Sequence, residues 1–214
     1  MTRMTPAEAD ACIQVLLFDF GGVMAEEGFR YGLYSIADRH GLDRHRFITS
    51  ARDALYDTGF CLGRGSEADY WSLLRDQFAL TPSDAQLTAA LIDRFRVRPA
   101  MRSTVRHYRA AGLLCGLFSD QTEWLDRLDD RDGIYREFDR LYISCRLGRS
   151  KRDATVFDDV LADLGLAPDR VVFVDDDPAH VERARGKGIR GLEFTGEAAC
   201  LTELAQLTGI TAPA

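Results

Sequence analysis

Three apolar runs stand out along the chain, at residues 13–18, 113–118 and 171–174. None shows the in–out alternation of a strand with one wet face. Each therefore predicts a strand covered on both sides, as in a parallel sheet. Shorter runs at 141–143 and 189–194 predict two weaker strands. The segment after Lys151 has a helical period instead. Val156, Phe157, Val160, Leu161 and Leu164 share one face, with Asp158, Asp159 and Asp163 opposite. Gly165 closes that helix, and Pro168 precedes the next strand. Further helices are predicted from Pro99 to about residue 111, from near Glu123, and over 178–186. Strand alternating with helix predicts an α/β fold with a doubly wound parallel sheet.

Residues 24–98 break the alternation. They read as helices only, around 29–40, 44–58, 67–78 and 83–95, punctuated by Gly41, Gly59, Gly63, Gly65 and Pro82. The expected organisation is a core built from 1–23 and 99–214, with a helical cap over 24–98 inserted directly after the first strand. Such an insertion would lie over the strand ends. No internal repeat or low-complexity segment interrupts this pattern.

The 214 residues suffice for an α/β core with a sizeable insertion. A net charge of −7 argues against a nucleic-acid or anionic-membrane binder, while leaving room for a local basic pocket that takes an anion. No apolar run approaches the roughly 20 residues needed to span a bilayer. The polar, alanine-rich stretch 1–11 is not a secretory signal and is expected to fray or form a short flanking helix. Cys12, Cys61, Cys115, Cys145 and Cys200 are odd in number and scattered. They read as reduced thiols of a cytoplasmic protein, with Cys115 as packing. The expected assembly is a monomer or a homodimer.

Candidate chemistry gathers where the strands end. Asp19 comes directly after the first run, and Phe20, Gly21, Gly22 and Val23 come next. A carboxylate there is aimed out of the carboxyl end of a buried strand, and the glycines allow a sharp turn and a close backbone approach. Asp19 could attack a phosphoryl group or serve as an ordinary turn residue. Ser119 and Asp120 end the second run, where a hydroxyl and free N–H groups suit phosphate oxygens but could equally cap the next helix. Lys151 precedes a helix and could neutralise a phosphate, or lie solvated on the surface. Asp175, Asp176 and Asp177 repel one another at the end of the third run. A hard divalent ion, Mg²⁺ foremost, would relieve that repulsion; otherwise only one points inward and the others cap a helix.

Taken together in this order, these four features resemble the haloacid dehalogenase (HAD) superfamily of phosphotransferases and hydrolases, over nearly the whole chain. Asp19 matches its nucleophile, Ser119 its second motif, Lys151 its third, and Asp175 with Asp176 its acidic fourth. The helical insertion is similar to the cap of subfamily IA. Phe18 through Val23, with Gly65-Ser66-Glu67, 148–157 and 174–180, resembles the branch that contains bacterial α-D-glucose-1-phosphate phosphatase. The resemblance implies a Rossmann-like HAD core and a Mg²⁺-dependent phosphomonoesterase with an aspartyl-phosphate intermediate, acting on a small phosphorylated metabolite such as a sugar phosphate. It implies Mg²⁺ held by Asp19, the Gly21 carbonyl, Asp175 and Asp176. It also implies phosphoryl oxygens held by Ser119, Asp120, Lys151 and N–H groups near Phe20 and Gly22.

The chain departs from that pattern at four places. Gly21 stands where most phosphatases of the superfamily carry a second aspartate, the proton donor. Asp120 replaces an asparagine, Arg152 a proline and His180 an asparagine. His180 is either a helix-surface residue, a group that orients Lys151, or a proton source. Tyr70, Trp71, Phe60 and Arg64 of the cap could meet the substrate or form the cap's own core. The Arg102, Arg106 and Arg109 stripe and the mixed charges from Asp126 to Asp139 read as solvated faces. Two other functions stay open: a non-catalytic phosphate-binding or regulatory scaffold, and a metal-free 2-haloacid dehalogenase.

Overall fold

The computed structural model describes residues 12–213, so the expectation for 1–11 lies outside the described residues. Five strands form one parallel sheet in the order β3-β2-β1-β4-β5. They are β1 (Val15–Phe18), β2 (Leu114–Ser119), β3 (Arg140–Ile143), β4 (Val171–Asp175) and β5 (Arg190–Glu193). β1 lies at the centre, with Phe18 level with Leu117 on one side and Val174 on the other. Three strands that carry candidate residues thus end at the same edge of the sheet.

Each apolar run splits its side chains between two cores, as burial on both faces requires. Leu16, Phe18, Cys115, Leu117, Val172 and Val174 face one layer of helices. That layer contains α5 (Pro99–Ala110), α6 (Trp124–Asp132) and α10 (Glu197–Thr208). Val15, Leu17, Phe118, Val171 and Phe173 face the other, with α8 (Thr155–Leu164) and α9 (Pro178–Gly186). In α8, Val156, Phe157 and Val160 are buried, as the period predicts. α10 has no counterpart among the predicted helices; its buried stripe is only Cys200 and Leu204, four apart.

Between β1 and α5 the chain forms α1 (Gly28–Arg39), α2 (Arg44–Asp57), α3 (Glu67–Phe78) and α4 (Asp84–Ile92), with a 3₁₀ turn at Phe60–Leu62. They surround a hydrophobic cluster of their own. Ser66 and Ser83 each begin a helix with a capping box, which satisfies N–H groups that the first turn leaves open. Two linkers join this helical layer to the sheet and run antiparallel. Glu26 N–H donates to Arg96 O at 2.9 Å, and Arg98 N–H to Met24 O at 2.8 Å. The layer touches the sheet domain closely. A Cβ at Gly63 would stand 2.0 Å from the Cys145 carbonyl of the short helix α7 (Ser144–Leu147), so only glycine fits there.

The arginine stripe is more than a solvated face: Arg106 stays exposed, yet each of its arginines has partners across the fold. Arg106 makes a two-pronged pair with Glu137 at 2.6 and 2.7 Å, and Arg109 pairs with Asp139 at 2.6 Å. Glu137 is buried, and Arg106 holds its carboxyl below the ordinary range. Asp139 also accepts the Cys115 N–H at 3.0 Å. The partners lie about 30 residues further along the chain, beyond the reach of helix periodicity.

Trp124 of α6 leaves the sheet's layers and inserts among Phe60, Tyr70 and Trp71, 5.1 Å from the Phe60 ring centroid. Trp124→Ala is expected to lower the unfolding free energy by about 3–5 kcal/mol in urea titration. Trp124→Phe is expected to cost much less, because the indole N–H has no hydrogen-bond partner among the described residues. Equal losses would contradict this packing role.

Candidate active site

β1, β2 and β4 stop at one edge, and each hands its carboxyl end to a different kind of turn. After β1, Asp19 N–H continues the ladder by donating to Val174 O at 2.9 Å, which fixes the carboxylate at the rim. After β4, the three aspartates separate in role. Asp175 points inward and is fully buried. Asp177 caps α9 by accepting from the Ala179 N–H at 2.8 Å. Asp176 lies over Gly22, whose φ is +86°; a Cβ there would come within 2.3 Å of the Asp176 carboxyl. Gly22 is therefore needed both for its turn and for the room it leaves.

Lys151 links the strands. Its Nζ donates to Asp19 Oδ1 at 2.8 Å and to Asp175 Oδ2 at 2.5 Å. Only about 1% of it is exposed. Its ammonium also lies 5.8 and 5.3 Å from the ring centroids of Phe118 and Phe173, which give it a cation–π lining. Burial opposes its charge, but the Asp175 and Asp19 carboxylates outweigh burial and raise it above the ordinary lysine value. Burial would likewise raise Asp175; Lys151 and His180 hold it down at about 2. Asp19 is raised, by burial first and then by Asp175, against the pull of Lys151.

Asp19, Asp175 and Asp176 each offer a carboxylate oxygen within 4.8 Å of the others. Hard oxygen donors at this spacing suit a divalent cation such as Mg²⁺. The charges agree: three carboxylates beside one ammonium leave two negative charges to balance. Burial and the charges of Asp19, Asp175 and Glu27 push Asp176 up to about 7, the mark of an acidic site short of positive charge.

The other predicted residues take varied places. Gly21 lines the cavity above Asp19. Ser119 is buried beside Asp19, and its hydroxyl helps to hold that carboxyl down. Phe20 is fully buried and stacks on Phe95 at 5.8 Å. Asp120 has a structural role: it accepts the Lys151 backbone N–H at 2.9 and 3.1 Å, and the Tyr56 hydroxyl of α2 at 3.3 Å. Arg152 lies over the Tyr56 ring at 3.5 Å. His180 Nδ1 is 3.3 Å from Asp175 Oδ2, so it acts on Lys151 only through that shared carboxylate. Phe60, Tyr70 and Trp71 belong to the helical layer's core, and Arg64 donates to Gly148 O at 3.1 Å.

Asp19, Asp120, Lys151, Asp175, Asp176 and His180 line a cavity of about 400 Å³ between the sheet edge and the helical layer. Its far wall includes Glu27, Phe29, Arg30, Arg52, Leu55 and Tyr56, which sequence reasoning missed. Their only signal was the position of the insertion. Burial raises the Glu27 carboxyl, against Arg30, and the charge of Asp19 raises it further. No helix of the described residues is long and apolar enough to cross a membrane.

The sequence family described as haloacid dehalogenase-like hydrolase matches residues 13–186. Bifunctional epoxide hydrolase 2 of Mus musculus is 27% identical over 147 residues, covering 65% of this chain and 26% of that protein. The chain thus spans about a quarter of that relative's length. Two solved structures share the fold. One is a HAD family enzyme from Bacteroides thetaiotaomicron in complex with magnesium and inorganic phosphate, with a TM-score of 0.64 and 18% identity over 85% of this chain and 93% of that one. The other is L-2-haloacid dehalogenase from Xanthobacter autotrophicus with chloropropionic acid covalently bound, with a TM-score of 0.63 and 17% identity over 94% of this chain and 85% of that one.

An unfolded Asp176 ionises near 3.8, and the folded one near 7. The folded state therefore holds an extra proton between these values, and that contribution to stability is lost as pH rises through 7. In chelator, Asp176→Asn is expected to raise Tm at pH 8 and to do so much less at pH 5. The same gain at both values would contradict the crowding of charge described here.

Proposed function

The chain belongs to the haloacid dehalogenase-like hydrolase family, and within it we propose a Mg²⁺-dependent phosphomonoesterase that acts on a small phosphorylated metabolite, with sugar phosphates the first class to test. The observation that supports this most is the carboxylate trio of Asp19, Asp175 and Asp176 with Lys151 bridging two of its members. Asp19 is the nucleophile: a carboxylate oxygen attacks phosphorus, the ester P–O bond breaks, and water then hydrolyses the acyl phosphate to release phosphate and restore the carboxylate. Lys151 keeps its charge throughout and screens the approach of a phosphate dianion to a carboxylate. Asp120 holds the Lys151 backbone in place, and the Ser119 hydroxyl, buried beside Asp19, serves a phosphoryl oxygen. Backbone N–H groups near Phe20 and Gly22 serve the same oxygens. Bound by Asp19, the Gly21 carbonyl, Asp175 and Asp176, Mg²⁺ would supply positive charge for the transferring phosphoryl group. We further propose that residues 24–98 act as a cap over the core formed by 1–23 and 99–214.

A metal-free haloacid dehalogenase is the weaker reading, because displacement of halide by a carboxylate requires no cation and gives Asp176 no task. A non-catalytic phosphate-binding scaffold rests on Gly21, where most of the superfamily's phosphatases carry a second aspartate, and on Asp120 and His180. The intact pairing of Asp19, Lys151 and Asp175 counts against it.

Purified protein with Mg²⁺ is expected to release phosphate from a panel of sugar phosphates, nucleotides and an aryl phosphate. Chelator or Asp19→Asn is expected to abolish release. Chloride release from a 2-haloacid that persists in chelator would move the assignment to the dehalogenase, and a folded protein silent in both assays would move it to the scaffold.

A further inference from the structure

Gly21 leaves the turn after the nucleophile without an acidic side chain of its own, yet the space above it is not without one. A side chain built at position 21 would start 3.6 Å from Glu27 Oε1, 3.6 Å from the Phe95 ring and 3.8 Å from Gln121 Nε2. Glu27 comes from a different element, the linker that leads into α1. Backbone bonds pin that linker: Glu26 N–H donates to Arg96 O, and Gly28 N–H to Glu26 O at 2.6 Å. Glu27 then accepts the Tyr31 N–H through its carbonyl and pairs with Arg30 at 3.3 Å through its side chain. Its carboxylate therefore stands in the cavity wall at a set place, over the turn that comes after Asp19.

Other titratable groups nearby have prior engagements. Asp120 is taken up by the Lys151 backbone and Tyr56. Asp177 caps α9, and His180 is turned to Asp175. Glu27 lines the cavity, and among the described residues its side chain, 27% exposed, pairs with Arg30.

Building on the phosphomonoesterase reading, we propose that Glu27 is the proton donor and acceptor of the reaction, doing from the cap linker what an aspartate at position 21 would do from the core. In the first step the Glu27 carboxyl gives its proton to the ester oxygen as the bond from that oxygen to phosphorus breaks and Asp19 bonds to phosphorus. In the second, the Glu27 carboxylate takes a proton from the water that attacks phosphorus, as the bond to Asp19 breaks. Phosphate leaves, and Glu27 is again protonated. Because Glu27 belongs to the linker, its delivery to the leaving group depends on how the helical layer sits over the sheet.

The test compares the wild type, Glu27→Gln and the double variant Glu27→Gln/Gly21→Asp, each with Mg²⁺. The probes are 4-nitrophenyl phosphate, whose leaving group needs no proton, and glycerol phosphate, whose alkoxide does. Gly21 lies outside the left-handed region, and a Cβ there meets only ordinary contacts, so an aspartate fits. Glu27→Gln is expected to lower kcat on glycerol phosphate by about 10²–10⁴-fold. With 4-nitrophenyl phosphate the first release of nitrophenolate should stay fast and appear as a burst, because it needs no proton, while steady turnover falls with the loss of the base in the second step; the melting temperature should be left nearly unchanged. The double variant should recover much of the alkyl activity. A nitrophenolate burst slowed as much as glycerol phosphate turnover, no loss on either ester, or a wild type active on the aryl ester alone would overturn the role of Glu27 and leave the phosphatase standing. A wild type inactive on both would remove the phosphatase reading and this role with it.

Discussion

One ammonium group shared by two carboxylates organises the site. Lys151 is buried, and so are Asp19 and Asp175. Taking any one of these charges out of water costs several kcal/mol, which the others offset only in this geometry. Asp19 and Asp175 come from neighbouring strands far apart in sequence, so the bridge forms only when β1 and β4 are in register. Removing one member of a buried pair typically costs about 3–5 kcal/mol, because the partner is left charged and alone. The surrounding structure is arranged to keep Lys151 in place. Phe118 and Phe173 line its ammonium, and Asp120 holds its backbone.

The bridge also accounts for the site's remaining appetite for charge. Lys151 satisfies two carboxylates and leaves Asp176 uncompensated over Gly22. A cation beside the trio would relieve that imbalance, and only then could an anionic phosphoryl group approach Lys151 at little cost. A parallel sheet is well suited to this task. Its strands all deliver their next residues to one rim, and the helical layer above that rim closes a cavity from which bulk water is partly excluded.

Much of this could be read from residue order. The apolar runs betrayed a sheet buried on both faces, because Leu16 and Leu17 must each find a core on opposite sides. Asp19, Lys151 and Asp175 were legible because each adjoins a strong element boundary. The division of labour among Asp175, Asp176 and Asp177 was not, since adjacent identical side chains differ only in the direction that the strand end and the helix start give them. Asp120 looked like part of an anion site; it lines the cavity, and its partners in a distant loop and in α2 give it a further role that residue order did not reveal. The arginines of α5 looked solvated because Glu137 and Asp139 reach them only through the fold. Glu27 carried no local signal at all, as its position depends on how two linkers run side by side.

Asp19 must become phosphorylated if it is the nucleophile. Quenching the protein during turnover of a sugar phosphate that it hydrolyses, reducing with borohydride and mapping peptides by mass reads this directly. An acyl phosphate on Asp19 is reduced to homoserine at that position, and this is the predicted result. Continued turnover with residue 19 unmodified, or the modification at another carboxylate, would contradict the central claim.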